Sequence, residues 1–169
     1  MNRYDTFWPR FFALIIDGIV LSILSKILAI IPQTDSKVLS IAYSLVITNI
    51  PYIYVVLMIG KYGQTLGKMA LSIKVVDNST EDKIGYYQSF MREAVPIFIV
   101  NAAIIIIAIL FTDIDLETFE FSTLGYIILF LPSGMLMIWS ILEIVTMLTD
   151  EKNRALHDKI ADTVVIKTN

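Results

Sequence analysis

Cysteine is absent from the 169 residues, which excludes disulfides, thiol nucleophiles and thiolate metal sites and leaves the redox compartment unreadable. Histidine occurs once, at His157. With Asp158 and Asp162 beside it but no second imidazole in the chain, no zinc site and no other cofactor is expected. Charge is scarce too: 17% of residues are charged against 56% hydrophobic, with a mean hydropathy of +0.72. That balance lies outside the range of water-soluble domains. One small membrane domain over residues 1–169 is expected, without room for an additional large soluble one.

The apolar runs fall at Phe11–Ile31, Val38–Ile59, Ala94–Phe111 and Leu124–Thr149, each near the roughly 20 residues a helix needs to cross a bilayer. The first run is too long for a signal-peptide core and lacks a small-residue cleavage site, so it is read as a retained span. Trp8-Pro9 suits a helix entrance at the interface. Residues 60–93 form a mixed, charged loop, and 150–169 a charged tail. Within the loop, Ser72–Asp77 carries partial alternation, and the tail ends in Thr163–Lys167. These two segments are predicted to be short strands that pair against the helix ends, because an isolated pair is marginal in water. Ile84–Arg92 is predicted as an interfacial helix leading into the third span, with Pro96 in that span's first turn. The fold class is therefore all-α membrane protein, four spans with a short strand pair and interfacial helices.

Basic residues are scarce on one side, with Lys26 inside the first span and close to its outer end. Arg3, Arg10, Lys61, Lys68, Lys74, Lys83, Arg92, Lys152, Arg154, Lys159 and Lys167 gather with both termini and the central loop, whereas the other side holds Lys37 and the acids Asp35, Asp113, Asp115, Glu117 and Glu120. The positive-inside rule then puts both termini in the cytoplasm of a bacterial cell. Basic residues on that face alternate with acids, which suits contact with anionic lipid and offers no dense stripe for nucleic acid.

Three separated blocks resemble the RDD family of small membrane proteins, named for one arginine and two aspartates: W-P-R-F-F-A-L-I-I-D-G at Trp8–Gly18, G-Q-T-L-G-K-M-A-L-S-I-K-V-V-D at Gly63–Asp77, and R-A-L-H-D-K-I-A-D-T-V-V-I at Arg154–Ile166. The resemblance spans nearly the whole chain. It implies family positions at Arg10, Asp17, Gly63, Gln64, Thr65, Gly67, Lys68, Arg92, His157, Asp158 and Thr163. The third block departs at Asp162, where glycine is common. Transport of a solute, cation or proton has been proposed for some members, so the resemblance implies architecture more firmly than activity.

Ionisable groups within spans carry the remaining chemistry, since a carboxylate near the bilayer centre costs roughly 2.5–3.5 kcal/mol on insertion scales. Asp17 lies about 10 Å beyond Arg10 on nearly the same helix face, where a shared partner or bridging water is expected, with Arg92, Lys68 and Arg154 as candidates. Ser133, Ser140 and Glu143 make a polar stripe in the fourth span. Asp17 and Glu143 are expected at similar depth, which with Asn49 and Asn101 would make a cation or proton relay. The competing reading makes Arg10 and Asp17 an anchor and the asparagines interhelical hydrogen bonds. Gly63–Lys68 lacks the first glycine and final hydroxyl of a phosphate loop, and its glycine spacing suits a compact turn on helix ends better than a helix-dimer motif. No nucleophile, base or metal cluster assembles, so no enzyme activity is expected. Transport of a small cation or solute, with proton coupling, is the first expectation, in a parallel homo-oligomer because four helices enclose little space. A non-transporting regulatory or assembly partner of another membrane protein is the alternative.

Overall fold

A computed structural model describes residues 3–28, 36–111 and 123–168. The helices are α1 (Phe7–Leu28), α2 (Lys37–Tyr62), α3 (Leu66–Ala70), α4 (Tyr86–Phe111), α5 (Thr123–Thr149) and α6 (Leu156–Ile160). The strands are β1 (Ile73–Asp77) and β2 (Thr163–Lys167). Four helices are long and apolar enough to cross a membrane, at Phe7–Leu28, Val38–Tyr62, Tyr86–Ile109 and Phe130–Thr149. The acidic connections with Asp35, Asp113, Asp115, Glu117 and Glu120 lie outside the described residues.

One boundary is corrected. The interfacial helix expected at Ile84–Arg92 and the span expected from Ala94 are a single helix, α4, with Pro96 well inside it. Residues 86–95 contain no glycine or proline to stop the helix, and a buried Arg92 ties this stretch to the rest of the chain. A proline inside a membrane helix is tolerated where neighbouring groups take up the freed carbonyl.

The strands pair antiparallel, with Ile73 opposite Lys167, Val75 opposite Val165 and Asp77 opposite Thr163. Both faces of this ribbon are covered. Ile73, Val75 and Val165 pack with Ala13, Ile59 and Ile84, while Val76, Val164 and Ile166 pack under Tyr4. The amide of Lys167 also donates to the carbonyl of Arg3 (3.0 Å). The apolar burial that a lone hairpin lacks is thus supplied by the helix ends and the N-terminal segment.

α3–β1 and α6–β2 are two copies of one unit, offset by 90 residues throughout, from Leu66 to Leu156 and Val75 to Val165. Each has a five-residue helix, a turn ending in a residue with positive φ (Ser72 at 52°, Asp162 at 49°), and a five-residue strand. Asp162, the departure from the family's glycine, occupies the left-handed region that favours glycine and that aspartate tolerates better than most residues. The paired units with their strands form a polar cap on one end of the bundle.

The spans themselves hold little of the core. Among the span residues whose side chains are described, the buried ones are Ala13, Asp17, Ile59, Gly60, Ser89 and Arg92, all toward the cap, and none lies in α5. α1 packs chiefly on α3 rather than on another span. Gly67 makes that contact possible, because a Cβ there would stand 2.2 Å from the carbonyl oxygen of Ala13. Gly67→Ala should therefore cost about 1–3 kcal/mol and lower the melting temperature in detergent by several degrees. Gly134→Ala, whose Cβ would meet nothing within 4 Å, should leave it unchanged. Equal melting temperatures for the two variants would contradict the close approach.

Candidate functional site

The charged residues singled out from the sequence converge on the cap in two clusters. In the first, Asp17 of α1 is buried and receives three hydrogen bonds: from the Tyr54 hydroxyl (2.9 Å), the Thr65 hydroxyl (2.6 Å) and the backbone amide of Gly67 (2.8 Å). The amide of Leu66 donates to Tyr54 Oη (2.9 Å) and that of Lys68 to Thr65 Oγ1 (3.3 Å). The first three amides of α3, which have no partner within the helix, are thereby satisfied by Tyr54, Asp17 and Thr65 in turn.

The second cluster repeats part of this arrangement on α6. Glu143 of α5 accepts the amide of His157 through Oε1 (3.1 Å), and His157 is the counterpart of Gly67 at the 90-residue offset. A carboxylate from a spanning helix thus caps the same amide in each unit. Glu143 Oε2 is buried without a hydrogen bond of ordinary geometry and stands 2.5 Å from His157 Nδ1. The ring's Nε2 lies 2.8 Å from Arg92 Nη2, which donates to it.

Between the two, Asp158 is fully buried and joins three parts of the chain. Arg10 of α1 reaches it at 2.5 Å and Arg92 of α4 makes a second, shorter ion pair. The amide of Ala155 (3.1 Å) and the hydroxyl of Thr163 (3.2 Å) also donate to it. Arg10 Nε donates to the hydroxyl of the buried Thr6 (3.1 Å). Burial alone pushes Asp158 up, but Arg10 and Arg92 outweigh it and hold the carboxyl well below the usual range. Asp150, also pushed up by burial, is brought down to about 2 by Arg154, Lys152 and Lys159.

Arg10 and Asp17 share no hydrogen-bond partner: the arginine goes to Asp158 and Thr6, the aspartate to Tyr54, Thr65 and Gly67. The expected shared partner is thus replaced by separate attachments to the same cap. Arg154 pairs with Asp150 (3.3 Å) rather than with Asp17. Asn49 and Asn101 bond each other reciprocally (2.8 and 2.9 Å), and each also donates to the carbonyl four residues earlier. Their four amide N–H groups are fully used. Ser140 bonds its own helix at Leu136, and Ser133 and Ser140 are both exposed in the single chain. Gln64 donates to the carbonyl of Ile73 (2.9 Å), and Gly63 ends α2 with φ 74°. Among the described residues no cluster of His, Asp and Glu could hold a metal ion.

Tyr54 and Thr6 were missed from the sequence. Tyr54 gave no signal among its apolar neighbours.

A carboxylate held low in the folded state contributes stability above its unfolded pKa near 4 and loses it as pH falls through the folded value. Stability in detergent should therefore change little on account of these two groups between pH 8 and about 5, then fall below about pH 4. Asp158→Asn should cost about 3–5 kcal/mol at neutral pH, because it strands the buried Arg92 and the mostly buried Arg10. It should also flatten the acid limb, leaving the part due to Asp150. An acid limb as steep in the variant as in the parent would contradict the assignment.

The family model for the RDD family matches residues 4–162. The uncharacterized membrane protein YteJ of Bacillus subtilis (strain 168) is 30% identical over 118 residues, covering 66% of this chain and 72% of that protein. No solved structure matches the chain. Arg10, Asp17 and Asp158, which carried the resemblance, are the residues that fasten the cap to the spans, and this polytopic membrane protein belongs to the RDD family.

Proposed function

We propose that this chain is a non-enzymatic assembly or regulatory partner within the membrane, docking through its spans against other helices, either a parallel second copy or another membrane protein. The observation that carries this reading is the separation of roles along the bundle. The cap uses the charged groups of the spans for its own attachment, while among the residues whose side chains are described the parts of α1, α2, α4 and α5 away from the cap bury almost nothing within the chain. Helices in lipid associate by close packing and interhelical hydrogen bonds, and these helices leave most of their surface available for it. The basic asymmetry of the loops supports a cap that faces the cytoplasm.

The reading predicts a stoichiometric complex in mild detergent that bulky apolar substitutions weaken by about tenfold. Suitable sites are Ile53→Trp and Met137→Trp, both on exposed span surfaces where lipid accommodates the extra volume but a packed interface does not. A monodisperse monomer with no partner, unchanged by either substitution, would count against it. Deleting the tail from Arg154 is unsuitable here, since it removes Asp158 and β2 together.

Transport of a small cation or solute with proton coupling is the second reading, supported by the buried Glu143 Oε2 beside His157, a pair able to exchange a proton. Proteoliposomes under a pH gradient with Na⁺, K⁺ or Li⁺ separate the two readings. The partner reading expects flux no greater than in empty vesicles. Flux that Glu143→Gln abolishes in a correctly folded protein would favour transport.

A further inference from the structure

The outer surface stays apolar at the level where the cap meets the spans. Between Phe7 and Asp17 of α1 every exposed residue is apolar, namely Trp8, Phe11, Phe12, Leu14 and Ile15, while the one charged side chain, Arg10, turns inward to Asp158. The cap-side ends of two other spans look alike. Tyr86, Tyr87 and Phe90 precede Arg92 on α4, and Ile144, Val145 and Leu148 follow Glu143 on α5, all of them exposed. The short helices carry this surface across the cap. Leu66, Met69 and Ala70 are the exposed residues of α3, and Ile160 is exposed on α6 beside a half-buried Leu156. Lys159, paired with Asp150 (3.3 Å), is the one exposed charge on these two helices.

Contacts fix the depth of α3. It lies beside residues 13–17 of α1, since a Cβ on Gly67 would stand 2.2 Å from the Ala13 carbonyl oxygen and the Gly67 amide donates to Asp17 (2.8 Å). If water began at that level, the fourteen residues from Asp17 to the end of the apolar run at Ile31 would supply about 21 Å of helix at 1.5 Å per residue, against a hydrocarbon core of about 30 Å. The exposed apolar side chains of α1 before Asp17 would also face water, each forgoing up to roughly 1.5–3 kcal/mol of burial. A span that begins at Phe7 removes both deficits, because its 22 residues to Leu28 give about 33 Å. α2, α4 and α5, with 26, 26 and 27 residues, are long enough to tilt within the same slab.

The backbone of the short helices suits that depth. A polar backbone group in hydrocarbon needs a protein partner, and the first three amides of α3 have theirs in Tyr54, Asp17 and Thr65. On α6, Glu143 takes the amide of His157.

We propose that this layer of the cap, made of α3, α6 and the Arg10–Asp158–Arg92 ion pairs, is sunk into the leaflet on its side of the membrane, with phospholipid acyl chains covering Leu66, Met69 and Ile160. The lipid-facing surface of the spans continues over the short helices, and the turn carrying Ser79, Thr80 and Asp82, all exposed, stands in water. This holds whether or not the spans also dock another helix.

Because the chain has no cysteine, each variant takes a single spin label. Met69→Cys and Ile160→Cys are labelled in the full-length protein in phosphatidylcholine vesicles, and collisions with oxygen, which concentrates in hydrocarbon, are compared with collisions with a water-soluble nickel chelate. Phe98→Cys, on the exposed surface of α4, and Asp82→Cys supply the lipid and water references. Both labels should favour oxygen several-fold more than the Asp82 reference does, approaching the Phe98 value. Leu66→Cys supplies the α3 reading if Met69→Cys does not fold. A water-like preference for the chelate on either helix would overturn the proposal. So would a label shielded from both reagents, which would place protein rather than lipid on that face.

Discussion

The buried carboxylate of Asp158 is the constraint on which the cap depends. It sits beyond the last span, yet its two arginines come from α1 and α4, so one side chain ties the end of the chain to its beginning and middle. Removing two guanidinium groups and a carboxylate from water is costly, and that cost is offset only while all the partners are in place. The same requirement makes the arrangement specific. A displaced tail would leave Arg92, almost wholly buried, without its counter-charge, and β2 could not hold its register against β1.

Around this centre the two helix–turn–strand units are held in parallel ways. Asp17 and Glu143, on the first and last spans, each accept the corresponding amide of a five-residue helix. Helices this short have little stability of their own, and a carboxylate at the N-terminus satisfies an orphan donor and opposes the positive end of the helix dipole. The polar residues that look out of place in apolar runs are therefore explained by what lies above them. Their depth matches the depth at which α3 and α6 press into the bundle, as the contact of Gly67 with Ala13 marks on one side.

Much of this was legible in the sequence. Apolar length gave the four spans, β-branched alternation gave both strands, and the spacing of Gly63 and Gly67 gave a turn on the helix ends. The three family-like blocks picked out residues that do meet. What could not be read was which charge meets which, because Arg10 and Asp17 share a helix face yet attach to different units. Hydropathy broke α4 at Glu93, since the charges of Arg92 and Glu93 outweigh their helical context in any such profile. The duplicated unit was hidden because few residues besides Leu66/Leu156 and Val75/Val165 are common to both copies, and backbone shape rather than sequence carries the likeness. Asn49 and Asn101 read as either a relay or a clasp, because their spacing in separate spans does not reveal that each amide bonds the other.

The central claim is that the spanning carboxylates act as anchors of the cap. Hydrogen exchange followed by mass spectrometry tests it most directly, comparing the unmodified protein with Asp17→Asn and Glu143→Gln. The account predicts faster exchange confined to residues 63–77 in the first variant and to 154–167 in the second. Unchanged exchange in both segments, with the cap as protected as before, would contradict it.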